Sequence, residues 1–84
     1  MVNTILRMRT VSRETGKSRS ALYGDIAQRL FTKPIRIGSR SVGWPASEVT
    51  ALNSARIAGR SDAEIRALVR RLETARRTAF EGGD

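Results

Sequence analysis

The sequence predicts a mostly α-helical fold with one small β-hairpin, arranged as a winged helix-turn-helix with an added C-terminal helix. Two segments with helix-forming patterns meet at the short turn Gly16-Lys17-Ser18, the kind of connection that a helix-turn-helix uses. After Pro34, apolar and polar residues alternate with period two on both sides of a glycine-containing loop, which predicts a hairpin. Further along, Ser61 and Glu64 form a capping-box pattern ahead of a long amphipathic segment.

The length and the charge of the chain suggest one small core and a polyanionic partner. The 84 residues include 16 lysines and arginines against 8 acidic residues, a formal net charge of +8. Residues 1–58 hold ten of the cations and three of the acids, whereas residues 59–84 hold six cations and five acids. Cations beside phosphates release condensed counterions and so favour nucleic acid. We therefore expect a winged helix-turn-helix DNA-binding domain at residues 1–58, a helical extension at residues 59–84, and double-stranded DNA as the partner.

The residue types that are missing exclude several kinds of chemistry. The chain has no cysteine and no histidine, which excludes disulfides, the usual zinc sites, thiol nucleophiles and imidazole catalysis. The remaining polar residues form no paired catalytic constellation, so we expect no enzyme, no metal and no cofactor. No apolar run approaches the roughly 20 residues that span a bilayer and no signal segment begins the chain, so we expect a cytoplasmic protein without membrane contact.

The first helix is expected to begin at Thr10 or Ser12, either of which is a good N-cap, and to end at about Thr15. Gly16 follows as the C-terminal stop. Val11 and Thr15, four residues apart, would face inward on this helix.

Ser18 is a good N-cap for a second helix, from about Arg19 to Leu30. Its inner stripe would be Leu22, Ile26 and Leu30, and its outer face would carry Arg19, Ser20, Tyr23, Gly24 and Ala27. Arginine can pair with a guanine edge, while serine and tyrosine commonly hold phosphates. We therefore predict DNA contacts from Ser18, Arg19, Ser20 and Tyr23. The alternative is an ordinary surface helix with a solvated polar face.

The predicted hairpin places Gly38-Ser39-Arg40 in its loop. Ile35, Ile37, Val42 and Trp44 are expected to line the inner face, with Trp44 in the core. The cations of this region cluster, because no acidic residue occurs between Ile26 and Pro45. We predict that Lys33, Arg36, Ser39 and Arg40 form a wing that contacts the DNA backbone or minor groove. The alternative is that the arginines keep an edge hairpin soluble.

Two more helices are predicted after the hairpin. Pro45 can begin the third, whose apolar side is Val49, Leu52 and Ala55 and which stops near Gly59. The fourth follows the Ser61 capping box, from about Asp62 to Phe80. Its apolar stripe comprises Ile65, Leu68, Val69, Leu72, Ala75 and Ala79. The stripe could pack on its own domain or on a partner helix, including a second copy of the chain.

Five segments in a fixed order add a resemblance to a known family. They are Ile5-Leu6-Arg7, residues 16–23, residues 31–38, residues 41–44 and Ser47-Glu48-Val49. This set, which covers about residues 5 to 57, resembles the AlpA-type phage regulators, small winged-helix proteins related in fold to the MerR DNA-binding domain and to phage excisionases. The resemblance implies a DNA-binding protein of a prophage or integrative element, located with the nucleoid in a bacterial cytoplasm. It also implies that residues 18–23 begin the recognition helix and that Arg36, Ser39 and Arg40 form the wing.

Such proteins either activate transcription of integration and excision genes or act as recombination directionality factors, which turn a tyrosine integrase from integration to excision. The small size and high charge favour an excisionase-like role, because an architectural protein offsets the cost of DNA bending with many backbone contacts. A tyrosine integrase and self-association on DNA are then candidate interactions. The alternatives are an AlpA-type transcriptional activator and a protein-interaction module that uses helix 62–80.

Overall fold

The computed structural model describes residues 4–81, so the outer ends of the two predicted domains, residues 1–3 and 82–84, lie outside it. Three short strands and four helices follow one another along the chain. They are β1 (Ile5–Arg7), α1 (Met8–Thr15), α2 (Arg19–Ala27), β2 (Ile35–Arg36), β3 (Val42–Pro45), α3 (Ala46–Ile57) and α4 (Asp62–Glu81). This is the predicted fold class, a mostly helical winged helix-turn-helix with a C-terminal helix. None of these helices is both long and apolar enough to cross a membrane.

The three strands form one antiparallel sheet with the order β1-β3-β2. The sequence does not predict β1, whose three residues show no usable alternation, yet it pairs with β3 so that Leu6 lies opposite Trp44. Gly43 is central to this pairing. A Cβ atom at Gly43 would stand 2.9 Å from the carbonyl oxygen of Leu6 and 2.6 Å from the Cγ2 atom of Ile5. The sheet therefore closes only because residue 43 has no side chain.

The hairpin loop lies where predicted, but the isoleucines of β2 and of the residue after it lie on the opposite sheet face from the one expected. Ile35 pairs with Gly43 and Arg36 pairs with Val42, while the Ile37 amide donates to the Ser41 carbonyl over 2.9 Å. Ile35 and Ile37 therefore share the sheet face of Gly43, opposite the face of Trp44. The expectation that all four apolar residues line one inner face is wrong for these two isoleucines, and Ile37 is 39% exposed. A shift of one residue in register moves a whole strand to the other face.

The helix-turn-helix has the expected three-residue turn, but both helices differ at one end. α1 begins at Met8, so neither Thr10 nor Ser12 is its N-cap; the Ser12 hydroxyl donates instead to the Lys17 carbonyl. Gly16, at φ 72°, ends α1 as predicted, because a glycine adopts this left-handed conformation without strain.

α2 ends at Ala27, before the predicted end at Leu30. The Leu30 amide donates to the Asp25 carbonyl and the Arg29 amide to the Ile26 carbonyl, which is the hydrogen-bond pattern of a Schellman motif. The residue in the left-handed position of this motif is Arg29, at φ 64°. The chain reverses there, and Leu30 still reaches the core from beyond the helix.

Within residues 4–78, one core joins the four helices and the sheet. Val11, Leu22, Trp44, Val49, Leu52, Ile65 and Val69 are buried in it together with Leu30 and Phe31. The rings of Phe31 and Trp44 meet edge to face, with centroids 6.1 Å apart. Because Ile65 and Val69 belong to α4, this helix uses its apolar stripe to complete the core. Of the last two residues predicted for the stripe, Ala75 is exposed, and the side chain of Ala79 lies outside the described residues. The division into a DNA-binding domain at residues 1–58 and a helical extension at residues 59–84 stays a prediction.

Candidate nucleic-acid interface

The outer face of α2 is exposed and carries basic and polar side chains. The Ser18 hydroxyl accepts a hydrogen bond from the Ala21 amide over 3.2 Å, so Ser18 is the predicted N-cap. Arg19, Ser20 and Tyr23 all lie on the exposed side of the helix, and Tyr23 is 37% exposed. The guanidinium carbon of Arg19 lies 5.7 Å from the centre of the Tyr23 ring, within the range of a cation–π contact. This end of α2 therefore presents an arginine, a tyrosine and two serines to solvent.

The one acid of α2 points away from that face. Asp25 is partly buried and forms an ion pair with Lys17, whose Nζ atom lies 2.9 Å from Oδ2 of the carboxylate. The Arg56 guanidinium lies 3.9 Å from the same carboxylate oxygen. The negative charge of Asp25 is thus neutralised by Lys17 of the turn and Arg56 of α3. It does not repel a polyanion that approaches the outer face of α2.

The hairpin of β2 and β3 presents its cations to solvent. Arg36, Ser39 and Arg40 are exposed, the last two in the loop between the strands. Arg7 of β1 joins them, because its guanidinium donates to the Ser41 hydroxyl over 3.3 Å. The sequence reasoning missed Arg7 as part of this surface, since only the pairing of β1 with β3 brings it to the hairpin. Had β1 been predicted as a strand, the period of two along a strand would have placed Arg7 on the same exposed side as Ile5.

The segment that leads into the hairpin, Thr32-Lys33, is held by hydrogen bonds to its backbone carbonyl and amide groups. The Trp44 indole donates to the Thr32 carbonyl over 2.8 Å. The Lys33 amide donates to the Glu73 carboxylate over 2.9 Å, and the Arg76 guanidinium donates to the Lys33 carbonyl over 2.7 Å. The Lys33 side chain is exposed, as predicted for a wing residue. Two side chains of α4 therefore fix the base of the hairpin.

Arg76 also neutralises a buried carboxylate. Glu48 of α3 is 4% exposed, and its two carboxylate oxygens accept hydrogen bonds of 2.8 and 2.7 Å from the Arg76 guanidinium. A bidentate pair of this kind is the strongest geometry for an arginine and a carboxylate. Arg76 thus ties α4 to α3 and to the hairpin base at once. No sequence pattern pointed to this residue, because its partners lie 28 and 43 positions away in the chain.

The predicted site residues form two exposed groups. Ser18, Arg19, Ser20 and Tyr23 share the beginning of α2, while Arg36, Ser39 and Arg40 share the hairpin, with Lys33 at its base. Their contact with DNA stays a prediction. The arrangement offers hydrogen-bond donors on the exposed side of a helix that packs on the core through Leu22, followed by a cationic hairpin.

Comparison with known proteins assigns the chain to a family. A curated relative, an uncharacterised protein named ORF88 of Enterobacteria phage P4, is 42% identical over 55 residues, which are 66% of this chain and 62% of that protein. The chain thus spans less than two thirds of the length of this relative. No solved structure matches the chain significantly. The family model for the prophage CP4-57 regulatory protein (AlpA) matches residues 4–57, the part from β1 to the end of α3, and the chain therefore belongs to the AlpA family of prophage regulatory proteins.

Proposed function

We propose that this protein binds duplex DNA, with the beginning of α2 in the major groove and the β2–β3 hairpin on the neighbouring backbone. The observation that carries the proposal is the exposed outer face of α2 with Arg19, Ser20 and Tyr23, which directly follows the three-residue turn and precedes an arginine-bearing hairpin. This order of elements is how winged helix-turn-helix proteins contact DNA. The family of prophage regulators is consistent with it.

Within α2, the residues divide into two roles. Arg19 is the candidate for reading a base, because its guanidinium can donate two hydrogen bonds to a guanine edge. The stacking of Arg19 on Tyr23 restricts the arginine before DNA arrives, so less side-chain freedom is lost on binding. Ser18, Ser20 and Tyr23 carry hydroxyls that suit phosphate oxygens.

The hairpin supplies charge without base recognition. Lys33, Arg36 and Arg40 carry cations and Ser39 a hydroxyl, which suit the phosphates and the narrow, strongly negative minor groove. The hydrogen bonds that Trp44 and Arg76 donate, and the one that Glu73 accepts from the Lys33 amide, hold the base of the hairpin against the core. A wing that is positioned before binding contributes more affinity than one that must be ordered by DNA.

We propose further that the protein acts as an excisionase, a recombination directionality factor for a tyrosine integrase, and that several copies associate along the DNA near an attachment site. The net charge of +8 on a small chain supports this role, because bending or coating DNA relies on many backbone contacts. The second candidate is a transcriptional activator, which the description of the family as regulatory proteins favours.

A footprint of the purified protein on fragments of its own genome, at physiological salt, tests these roles. Cooperative protection of adjacent repeats beside an attachment site indicates a directionality factor. Protection of one site that overlaps a promoter indicates a transcriptional regulator. The absence of any protected site would contradict DNA recognition and would favour a protein-interaction module.

The variant Arg19→Ala tests the recognition helix. We expect a loss of about 1–3 kcal/mol on the protected site and a relaxed base preference. The matched control is Arg40→Ala, which should weaken binding to the site and to scrambled DNA alike. Equal losses on both DNAs from Arg19→Ala would refute the assignment of Arg19 to a base.

A further inference from the structure

A basic groove lies on the side of the molecule where α2 ends and α4 passes beneath the connection to β2. The groove has a volume of about 380 Å³. Ile26, Phe31 and Val69 form its apolar part, and Glu73 is its one acid. Its cationic residues are Arg29, Lys33, Arg66 and Arg70. The groove therefore joins two residues that follow α2 to two arginines of a helix outside the family-matched residues 4–57.

The charge balance of the groove is strongly positive. The Glu73 carboxylate already accepts the Lys33 amide, so one of its oxygens is engaged inside the protein. Arg66 is braced by a 2.9 Å hydrogen bond from its Nε atom to the Gln28 carbonyl, which leaves its terminal nitrogens available. Among the side chains of residues 4–78, neither Arg29 nor Arg70 forms an ion pair. Four cations thus converge on a space where only one carboxylate offsets them.

The groove is continuous with the face of α2 that is proposed to read DNA. Ile26 lines the groove, and Tyr23 and Arg19 precede it by three and seven residues, so all three share one flank of the helix. The groove therefore lies beside the flank of α2 on which the duplex is proposed to rest.

We infer that this groove binds the sugar-phosphate backbone of the same duplex, so that α4 extends the DNA interface beyond the helix-turn-helix and the wing. The inference rests on the proposed function, since it requires α2 to contact a duplex. The chemistry that the groove would recognise is a row of phosphates, with Arg66 and Arg70 one helical turn apart along α4. Arginines placed in this way bind phosphate bidentately and without base preference.

The test compares the salt dependence of binding for matched variants on a random-sequence duplex. Arg70→Ala removes one groove cation, and Arg29→Gly removes another at a position whose left-handed φ of 64° suits glycine. The control is Arg71→Ala, which deletes the same charge from the next residue of α4, an exposed position that does not line the groove. Arg40→Ala serves as the reference for a wing contact.

Each lost phosphate contact should lower the slope of log K against log salt by about 0.9, which is about fivefold in affinity at physiological salt. We expect this effect from Arg70→Ala and twice the change in slope from the double variant that combines Arg70→Ala with Arg29→Gly. From Arg71→Ala we expect less than about a twofold loss, because solvent screens the charge of Arg71. The midpoint of urea unfolding, measured for every variant, should stay close to that of the wild type or rise for Arg29→Gly.

The outcomes separate the groove from the proposed function. If Arg70→Ala and the double variant match Arg71→Ala while Arg40→Ala lowers the slope, the groove does not hold DNA and the inference fails alone. That result is also the one expected if the groove holds an acidic protein segment. If the wild-type protein shows no salt-dependent binding to any duplex, the proposed function fails first.

Discussion

Replacing Arg76 by alanine should destabilise the fold more than any other substitution of an arginine in α4. The change leaves the Glu48 carboxylate, 4% exposed, without either of its hydrogen bonds of 2.8 and 2.7 Å. It also removes the donor to the Lys33 carbonyl. A buried charge that loses its partner costs about 3–5 kcal/mol, because the carboxylate was desolvated on folding and nothing replaces the attraction. Total stabilities of small domains are about 5–15 kcal/mol, so the loss is a large share.

The single tryptophan makes this measurement direct. Trp44 is fully buried and its indole nitrogen donates to the Thr32 carbonyl, next to the Arg76 contact with Lys33. Urea unfolding followed by Trp44 fluorescence therefore reports on the global transition and on the segment that Arg76 holds. The control is Arg77→Ala, an exposed neighbour on the same helix, which should change the free energy of unfolding by no more than about 0.5 kcal/mol.

A double variant separates the charge from the packing. In Glu48→Leu with Arg76→Met both charges are removed together, so no carboxylate remains buried and unpaired. Replacing a buried ion pair by apolar residues is often neutral or stabilising, and we expect most of the loss to be recovered. A cost below about 1 kcal/mol for Arg76→Ala, or a double variant as unstable as the single one, would refute the reasoning that Glu48 depends on Arg76.

Two further predictions concern the sheet and the start of α4. Gly43→Ala should lower the free energy of unfolding, measured in urea, by roughly 1–3 kcal/mol. The new Cβ would stand 2.9 Å from the Leu6 carbonyl oxygen, a backbone atom that cannot rotate away as a side chain can. An unchanged unfolding midpoint would contradict the close pairing of β1 with β3. At Glu64, the hydrogen bond from the Ser61 amide lowers the carboxyl pKa below its ordinary value of 4.5; desolvation opposes this shift, and the Ser61 hydroxyl and the charge of Arg60 add to it. Because the pKa of Glu64 is lower in the folded state than in the unfolded chain, the ionised carboxylate stabilises the fold above pH 4.5. This stabilisation is lost as the pH falls through the pKa of the folded state. Glu64→Gln keeps the capping geometry but cannot titrate. The difference in unfolding free energy between this variant and the wild type should therefore change as the pH falls below 4.5. A difference that stays constant with pH would contradict the lowered pKa of Glu64.

The features that the sequence predicted well depend on neighbouring residues. Ser18 caps α2, Gly16 ends α1 in a left-handed conformation, and Ser61 with Glu64 forms the capping box, because each signal acts within one turn of helix. The exposed face at the beginning of α2 follows from the same local information. These elements carry the predicted recognition residues.

The features that it missed depend on pairings between distant residues or on one unusual backbone angle. A three-residue loop sets Ile37 opposite Ser41, and this places Ile35 with Gly43 on the outer sheet face, although alternation alone suited either face. α2 ends early because Arg29 adopts φ 64°, a conformation that sequence patterns assign to glycine or asparagine. Arg7 and Arg76 reach the hairpin only through tertiary structure.

The packing of α4 decides between the two uses that the sequence left open for its apolar stripe. Ile65 and Val69 are buried in the core with Trp44, and Arg76 and Glu73 hold the base of the hairpin. A partner helix that took the stripe would have to expose this core, so the proposed self-association on DNA would require another surface. For the same reason deletion of α4 would test folding rather than cooperativity. What α4 leaves exposed is its arginine-bearing side, so a ligand of this helix is expected to be an anion.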